Sequence, residues 1–396
     1  MSRWSDSTGV TAMRVGAQLL RDRLSNPKVT ERGQVPPSVD AITPAWWTAV
    51  LCDKVPGAEV VSFTVVSGSK GTHHRHRLAL TYNEAGWRAG LPTAVFTKSL
   101  PTLVTRMIGG YNGTARAEGR FYMQIRPGLD IEAPLGYHTA FDRETLAGVN
   151  VLEDIVVTKD PTFCNYKTAV TRPMAEEMID LLAELHGATW NDPRLDTEWK
   201  WVAGFADWFR VGSQKMQTEY YTQRSLDKAA HLVPKKVLDR RADVWPATLA
   251  ATPIHVEGPR SLLHSDVHIG NWYRTGGASP TMGLCDWQCL TKGHWSRDVA
   301  YMLAAALTPA DRAAWERDLL KRYLERMGAR AGVILGFAES FDHYRRQMLH
   351  ALWMWTITLC HSPILPAMQT EDTSLAMIER ISAAMADLDS IDAALR

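Results

Sequence analysis

The chain has 396 residues, 45% of them hydrophobic, and its 44 Lys and Arg offset 43 Asp and Glu to a formal net charge of +1. That length exceeds one compact core and suits two domains of ordinary size, and the near-neutral charge argues against nucleic acid or a basic membrane-binding surface. No stretch approaches the roughly 20 apolar residues that cross a bilayer, and the N-terminus lacks the apolar run of a secretion signal, so a cytoplasmic protein with no membrane span is expected.

Residues 13–24 form a short amphipathic stretch, and residues 44–53 read as a short helix with Pro44 near its start. Residues 60–66 read as a strand, 67–72 as a tight loop of small residues and 75–82 as an alternating second strand. A glycine-containing hairpin lets backbone N–H groups come close to phosphates, which makes Gly68, Ser69 and Gly71 candidate nucleotide contacts. It is not a Walker loop, because the Gly-Lys-Ser/Thr ending is missing and no helix pattern follows. An ordinary hairpin is the alternative. On its flank His73, His74 and His76 alternate faces and do not converge on a metal; they read as a polar rim.

Residues 94–98 form a short strand ending on Lys98, and a helix over 106–124 carries Glu118. In kinases a lysine on the third strand contacts the α- and β-phosphates and pairs with a glutamate of the following helix. A snorkelling lysine and a solvated helix charge are the alternative. Two more strands, at 136–141 and 149–153, complete a five-stranded antiparallel sheet with one helix. From Arg172 the period becomes helical, with Met174, Met178, Leu181, Leu182 and Leu185 on one stripe. Short strands near 261–263 and 282–285 precede two polar loops, and everything after Asp298 is helical. The expected class is α+β with two lobes, residues 1–152 and 153–396, joined near 153–156.

The polar loops carry the chemistry. His264-Ser265-Asp266 is followed five residues after the aspartate by Asn271, and Asp286 ends the second apolar run. Moving a γ-phosphoryl group requires a carboxylate to orient the acceptor hydroxyl and oxygen ligands that hold Mg²⁺ against the phosphates. Asp266 suits the first task, and Asn271 with Asp286 the second. The five cysteines (Cys52, Cys164, Cys285, Cys289 and Cys360) are odd in number and scattered, as reduced thiols would be. The spacing of Cys285 and Cys289 does not suit a zinc knuckle.

With these residues the chain resembles the aminoglycoside phosphotransferase/choline kinase-like superfamily, nearest in look to its ecdysteroid-kinase-like and hydroxyacyl-kinase-like branches. The resemblance rests on His264-Ser265-Asp266 with Asn271, on Asp286-Trp287-Gln288, on Arg297-Asp298-Val299-Ala300-Tyr301, on Leu152-Glu153-Asp154 and on Leu185-His186-Gly187. It runs from about Val60 to the C-terminus. Ser265 stands where the family commonly has glycine, a small-for-small change expected to leave activity intact. The resemblance implies a bilobal protein-kinase-like fold with the site between lobes, and ATP with Mg²⁺ as cofactors. It makes Asp266 the catalytic base, with His264 beside it more as support for the loop than as a chemical participant. Asn271 and Asp286 would be the metal ligands, and Lys98, paired with Glu118, would grip the phosphates. Glu153 and Ile155 would lie in the adenine-binding linker, and Asp298 would brace the catalytic loop.

Only eleven residues separate Asp286 from Asp298, too few for the activation and peptide-docking segment of protein kinases, so a small-molecule alcohol is the expected acceptor. The C-terminal lobe is rich in tryptophan, with Trp190, Trp199, Trp201, Trp208, Trp245, Trp272, Trp287, Trp295, Trp315, Trp353 and Trp355. An aminoglycoside site needs carboxylates, whereas a lipophilic alcohol needs aromatic walls. The tryptophan content therefore points to a hydrophobic acceptor, with core filling as the alternative for each ring. An aminoglycoside or macrolide kinase, and an inactive nucleotide- or lipophile-binding protein, stay open beside it.

Overall fold

The computed structural model describes residues 8–111, 113–363 and 367–396, whose contacts divide into two compact units. The first holds Met1–Gly128 and Pro134–Asp160; the second holds Leu129–Ala133 and Pro161–Arg396. The chain makes its last passage from the first unit to the second at 160/161. Residues 129–133 join the second unit because Glu132 is tied there twice: its carbonyl accepts the Leu284 N–H (3.0 Å), and its Oε1 accepts the Tyr273 hydroxyl (2.6 Å).

The first unit is built on strands β1 (Val60–Ser69), β2 (His74–Tyr82), β3 (Ala94–Ser99), β4 (Gly136–Phe141) and β5 (Gly148–Glu153). They form one sheet in the order β1-β2-β3-β5-β4, every neighbour antiparallel. One face packs on the helix Pro44–Leu51, which Thr43 caps at its N-terminus and Pro44 opens. Trp46, Trp47, Val50 and Leu51 of that helix bury against Leu78, Leu80, Val95, Val149 and Val151. The edge strand β1 leaves Val61, Val65 and Val66 exposed.

The hairpin differs from its expectation. Strand β1 continues to Ser69, and Gly68 pairs with His76, so Gly68 and Ser69 lie in the ladder and the loop itself is only residues 70–73. Gly71 alone of the three candidates sits in that loop. His73 is buried rather than on a polar rim. The single helix expected over 106–124 is broken. Gly113 at φ +78° interrupts it, leaving Arg106–Gly110 as a wider helical turn, Thr114–Arg120 as α-helix and Phe121–Ile125 as a second wide turn. A left-handed residue cannot continue an α-helix, and glycine adopts that conformation without a Cβ clash.

The second unit is mainly helical. Thr171 caps the helix Arg172–Ala188, whose apolar stripe packs on the long helix Pro309–Ala331. All eleven residues of the helix Ser296–Ala306 are buried, which places it at the centre of the unit. Small strands hold the polar loops. β6 (Thr162–Phe163), β8 (Trp272–Arg274) and β9 (Met282–Leu284) form one sheet; β7 (Ser261–Leu263) and β10 (Thr291–Gly293) form another. Among the described residues no helix is long and apolar enough to cross a membrane.

Candidate active site

In the first unit the Lys98 ammonium lies 2.6 Å from Glu118 Oε1, with both side chains almost wholly out of solvent. Two charges are costly to bury unless the remaining bonding capacity is also met. A polar relay meets part of it: Asn150 donates to Glu118 Oε2 (3.4 Å) and to the Ala115 carbonyl (3.1 Å), and Thr139 donates to Asn150 Oδ1 (2.7 Å). Asn150 lies opposite Lys98 across β3 and β5 and opposite Thr139 across β4 and β5. Gly119 makes this contact possible, since a Cβ there would overlap Thr139 Oγ1 and Asn150 Oδ1. Asn150 carries no sequence signal of its own; its role comes from strand register.

The linker candidates are engaged in local bonds. The Glu153 N–H donates to the Leu135 carbonyl (2.8 Å), while its carboxylate accepts from Thr158 Oγ1 (2.6 Å) and the Leu135 N–H (3.0 Å). Asp154, paired with Arg77 at 2.9 Å, caps the short helix Ile155–Thr158. Ile155, the other linker candidate, is its first residue.

In the second unit the catalytic-loop candidates converge. Strand β7 ends at Leu263, and Ser265 turns the chain with φ +65°, a conformation that costs a non-glycine residue about 1–2 kcal/mol. Serine is held there from several sides. Its N–H donates to Asp298 Oδ1 (3.0 Å), its carbonyl accepts from Arg297 Nη2 (3.2 Å) and its hydroxyl bonds Thr291 Oγ1 (2.6 Å). The other carboxylate oxygen of Asp298 accepts the His264 N–H at 2.7 Å. Asp298 is fully buried. Burial alone would raise its pKa, but the His186 hydrogen bond and the Arg297 charge outweigh it and hold the carboxyl below its ordinary value.

His264 is buried as well, and burial lowers its pKa, so the ring is neutral. Its Nδ1 accepts the Asp266 N–H (3.2 Å), which leaves the proton on Nε2 to donate to the Cys285 carbonyl (3.0 Å). Both nitrogens are thus spent on the backbone of the two polar loops, and His264 positions rather than reacts.

Asp266 presents its carboxylate among neutral donors. Tyr301 O–H donates to Oδ1 (3.2 Å), and Asn271 Nδ2 donates to Oδ2 (3.3 Å) and to the Asp266 carbonyl (2.7 Å). Because Nδ2 is turned to Asp266, the oxygen end of the amide receives no hydrogen bond among the described residues. The Asn271 carbonyl accepts the Cys285 N–H at 2.9 Å, which ties Asn271 to the residue preceding Asp286. Asp286 takes a left-handed turn (φ +65°) before the turn Trp287–Cys289. No group of three His, Cys, Asp or Glu suited to a metal occurs among the described residues. One amide oxygen and one carboxylate do suit Mg²⁺, which keeps waters and takes further oxygens from nucleotide phosphates.

Tyr301 and Arg297 went unassigned in the sequence because their contacts arise through helix Ser296–Ala306. The Arg297 guanidinium lies over the rings of Tyr301 (4.7 Å) and Phe205 (5.2 Å) while it bonds Ser265. The tryptophans also resolve. Trp272 and Trp287 are fully buried, and their indole N–H groups donate to the carbonyls of Val267 (3.0 Å) and Leu284 (3.2 Å). These two brace the polar loops. Trp199, Trp295, Trp353 and Trp355 are buried too, while Trp190, Trp201, Trp208, Trp245 and Trp315 are half-buried.

The sequence profile of the phosphotransferase enzyme family (APH) matches residues 115–333, more than half of the chain, and the chain belongs to that family. It is a small-molecule phosphotransferase with an alcohol group as acceptor. No protein of curated function matches it by sequence. Among solved structures it is similar in fold to choline kinase from Cryptosporidium parvum, at TM-score 0.50 and 12% identity, over 83% of this chain and 90% of that one. Choline kinase from Streptococcus pneumoniae aligns at TM-score 0.44 and 13% identity (83% and 94% covered). Macrolide 2'-phosphotransferase from Brachybacterium faecium aligns at TM-score 0.42 and 11% identity (76% and 89% covered).

Proposed function

We propose that the protein transfers the γ-phosphoryl group of Mg²⁺-ATP to the hydroxyl of an uncharged, largely apolar alcohol. The observation that carries this reading is the Asn271 amide, held by Asp266 through its nitrogen so that its oxygen end is left for a cation beside Asp286. In this reading Asp266 orients the acceptor hydroxyl and takes its proton as the new O–P bond forms and the bond to ADP breaks. Asn271 and Asp286 hold Mg²⁺, which neutralises phosphate charge. Lys98, fixed by Glu118, contacts the α- and β-phosphates, and the residue 70–73 loop with Gly71 covers them. The linker at Glu153 and Ile155 receives the adenine.

Support for the apolar acceptor comes from the immediate surroundings of Asp266, and no longer from the count of tryptophans. The side chains placed about it are Tyr301, Asn271 and His268, with Trp355 against His268. Apart from Asp286, which this reading gives to the metal, none of these contacts among the described residues is a carboxylate, whereas an aminoglycoside with several ammonium groups would require some. A panel of alcohols with Mg²⁺-ATP tests this: a sterol, a macrolide, a hydroxyacyl thioester, choline and an aminoglycoside. ADP release stimulated by the apolar alcohols is the expected result. Stimulation by the aminoglycoside alone would contradict the acceptor assignment and keep the kinase.

A further inference from the structure

We infer that His268 is a second acceptor-contacting catalytic residue, donating a hydrogen bond from Nε2 to the same hydroxyl that Asp266 deprotonates. The inference rests on the kinase reading above. His268 Nδ1 accepts the Gly270 N–H at 3.1 Å, so in the neutral ring the proton is on Nε2. Gly270 permits that cap, because a Cβ there would stand 2.9 Å from the imidazole Cε1. Nε2 lies 3.8 Å from Asp266 Oδ2, too far for a direct hydrogen bond, and has no hydrogen-bond partner among the described residues. The ring is held in this pose by Trp355, edge-on at 5.1 Å, and by Tyr301 at 6.5 Å.

A separation of 3.8 Å between a donor and an acceptor is spanned by one oxygen at about 2.8 Å from each. An alcohol oxygen in that position accepts from Nε2–H and donates its own proton to Oδ2. Of its two lone pairs, one is held by His268 and the other is left to attack phosphorus. When the O–P bond forms and the bond to ADP breaks, the hydroxyl proton passes to Asp266 and His268 keeps its own. The site therefore selects for a hydroxyl: an ammonium group has no lone pair to offer Nε2–H.

Two substitutions separate the donor from the cap. In His268→Asn the side-chain oxygen replaces Nδ1 as acceptor of the Gly270 N–H, as in an Asx turn, and the Nε2 donor is gone. In His268→Ala both are lost. The assay is ADP release from Mg²⁺-ATP with whichever alcohol of the panel wild type turns over fastest, together with Mg²⁺-ATP affinity and melting temperature. Both variants should lose about tenfold or more in kcat/KM for the alcohol, with Mg²⁺-ATP affinity unchanged and melting temperature lowered only in His268→Ala. Wild-type kcat/KM in His268→Asn, or a parallel loss of Mg²⁺-ATP affinity in that variant, would overturn the assignment and leave the kinase reading standing. Absence of turnover by wild type with every alcohol would overturn both.

Discussion

Ser265 shows how far a single residue can depart from its preferred backbone when its neighbours compensate. Its φ of +65° favours glycine, yet its hydroxyl is bonded to Thr291 Oγ1 at 2.6 Å and its backbone is held by Asp298 and Arg297. Ser265→Ala keeps the strain and loses the side-chain bond, while Ser265→Gly loses the bond and relieves the strain. The glycine variant should therefore be the more stable of the two by about 1 kcal/mol, measured by urea unfolding. An alanine variant as stable as the glycine one would contradict the left-handed turn. At this scale Asp266, Asn271 and Asp286 are legible in the sequence because short loops carry them at fixed spacing after apolar runs. Tyr301, Arg297 and His186 are not, since their contacts cross more than 30 positions of chain. No local pattern encodes such a meeting.

At the scale of elements, the docking of Thr114–Arg120 on the sheet decides whether Lys98 and Glu118 meet. Gly119→Ala puts a methyl group into Thr139 and Asn150, which are tied to each other and to Glu118, so the helix must lift away. The expected cost is about 1–3 kcal/mol in stability, the range for overpacking, with weakened nucleotide binding. Calorimetric titration with Mg²⁺-ATP checks it, and unchanged affinity and stability would show that the helix tolerates the methyl group. The five strands and their order of appearance are legible because β-branched alternation and polar turns bound each of them. The break at Gly113 and the wide turns on either side of it are not, because the apolar spacing across residues 106–124 still suits one continuous helix. Nor does alternation show where β1 ends, which is why Gly68 and Ser69 read as loop and lie in the ladder.

Across the whole molecule, buried histidines should make stability fall with pH. Burial lowers the pKa of His138 to about 4 and of His255 to about 3, and it also lowers those of His264, His294 and His350. The folded chain keeps these rings neutral, whereas the unfolded chain protonates them near pH 6.5. The unfolded state thus binds more protons below that pH, and stability present above it is lost progressively as pH falls toward 4 and below. Asp298, with its carboxyl held low, adds a loss of the same sign near the bottom of the range. Melting temperature should decline steadily from pH 7 to pH 4.5; a flat profile would mean that these histidines are protonated in the folded protein. Length and the change of hydrophobic period at Arg172 are what the sequence offers on the division into two units. The return of residues 129–133 to the second unit is not legible there, because it depends on Glu132 meeting Leu284 and Tyr273 far along the chain.

The central claim, phosphoryl transfer directed by Asp266 with Asn271 and Asp286 at the metal, is tested most directly by comparing Asp266→Ala with Asp286→Ala. Turnover of the best alcohol and calorimetric binding of Mg²⁺-ATP are measured on each. Asp266→Ala should lose at least about 100-fold in turnover with Mg²⁺-ATP binding retained, and Asp286→Ala should lose turnover and Mg²⁺-dependent binding together. Near-wild-type turnover in either variant would contradict the assignment.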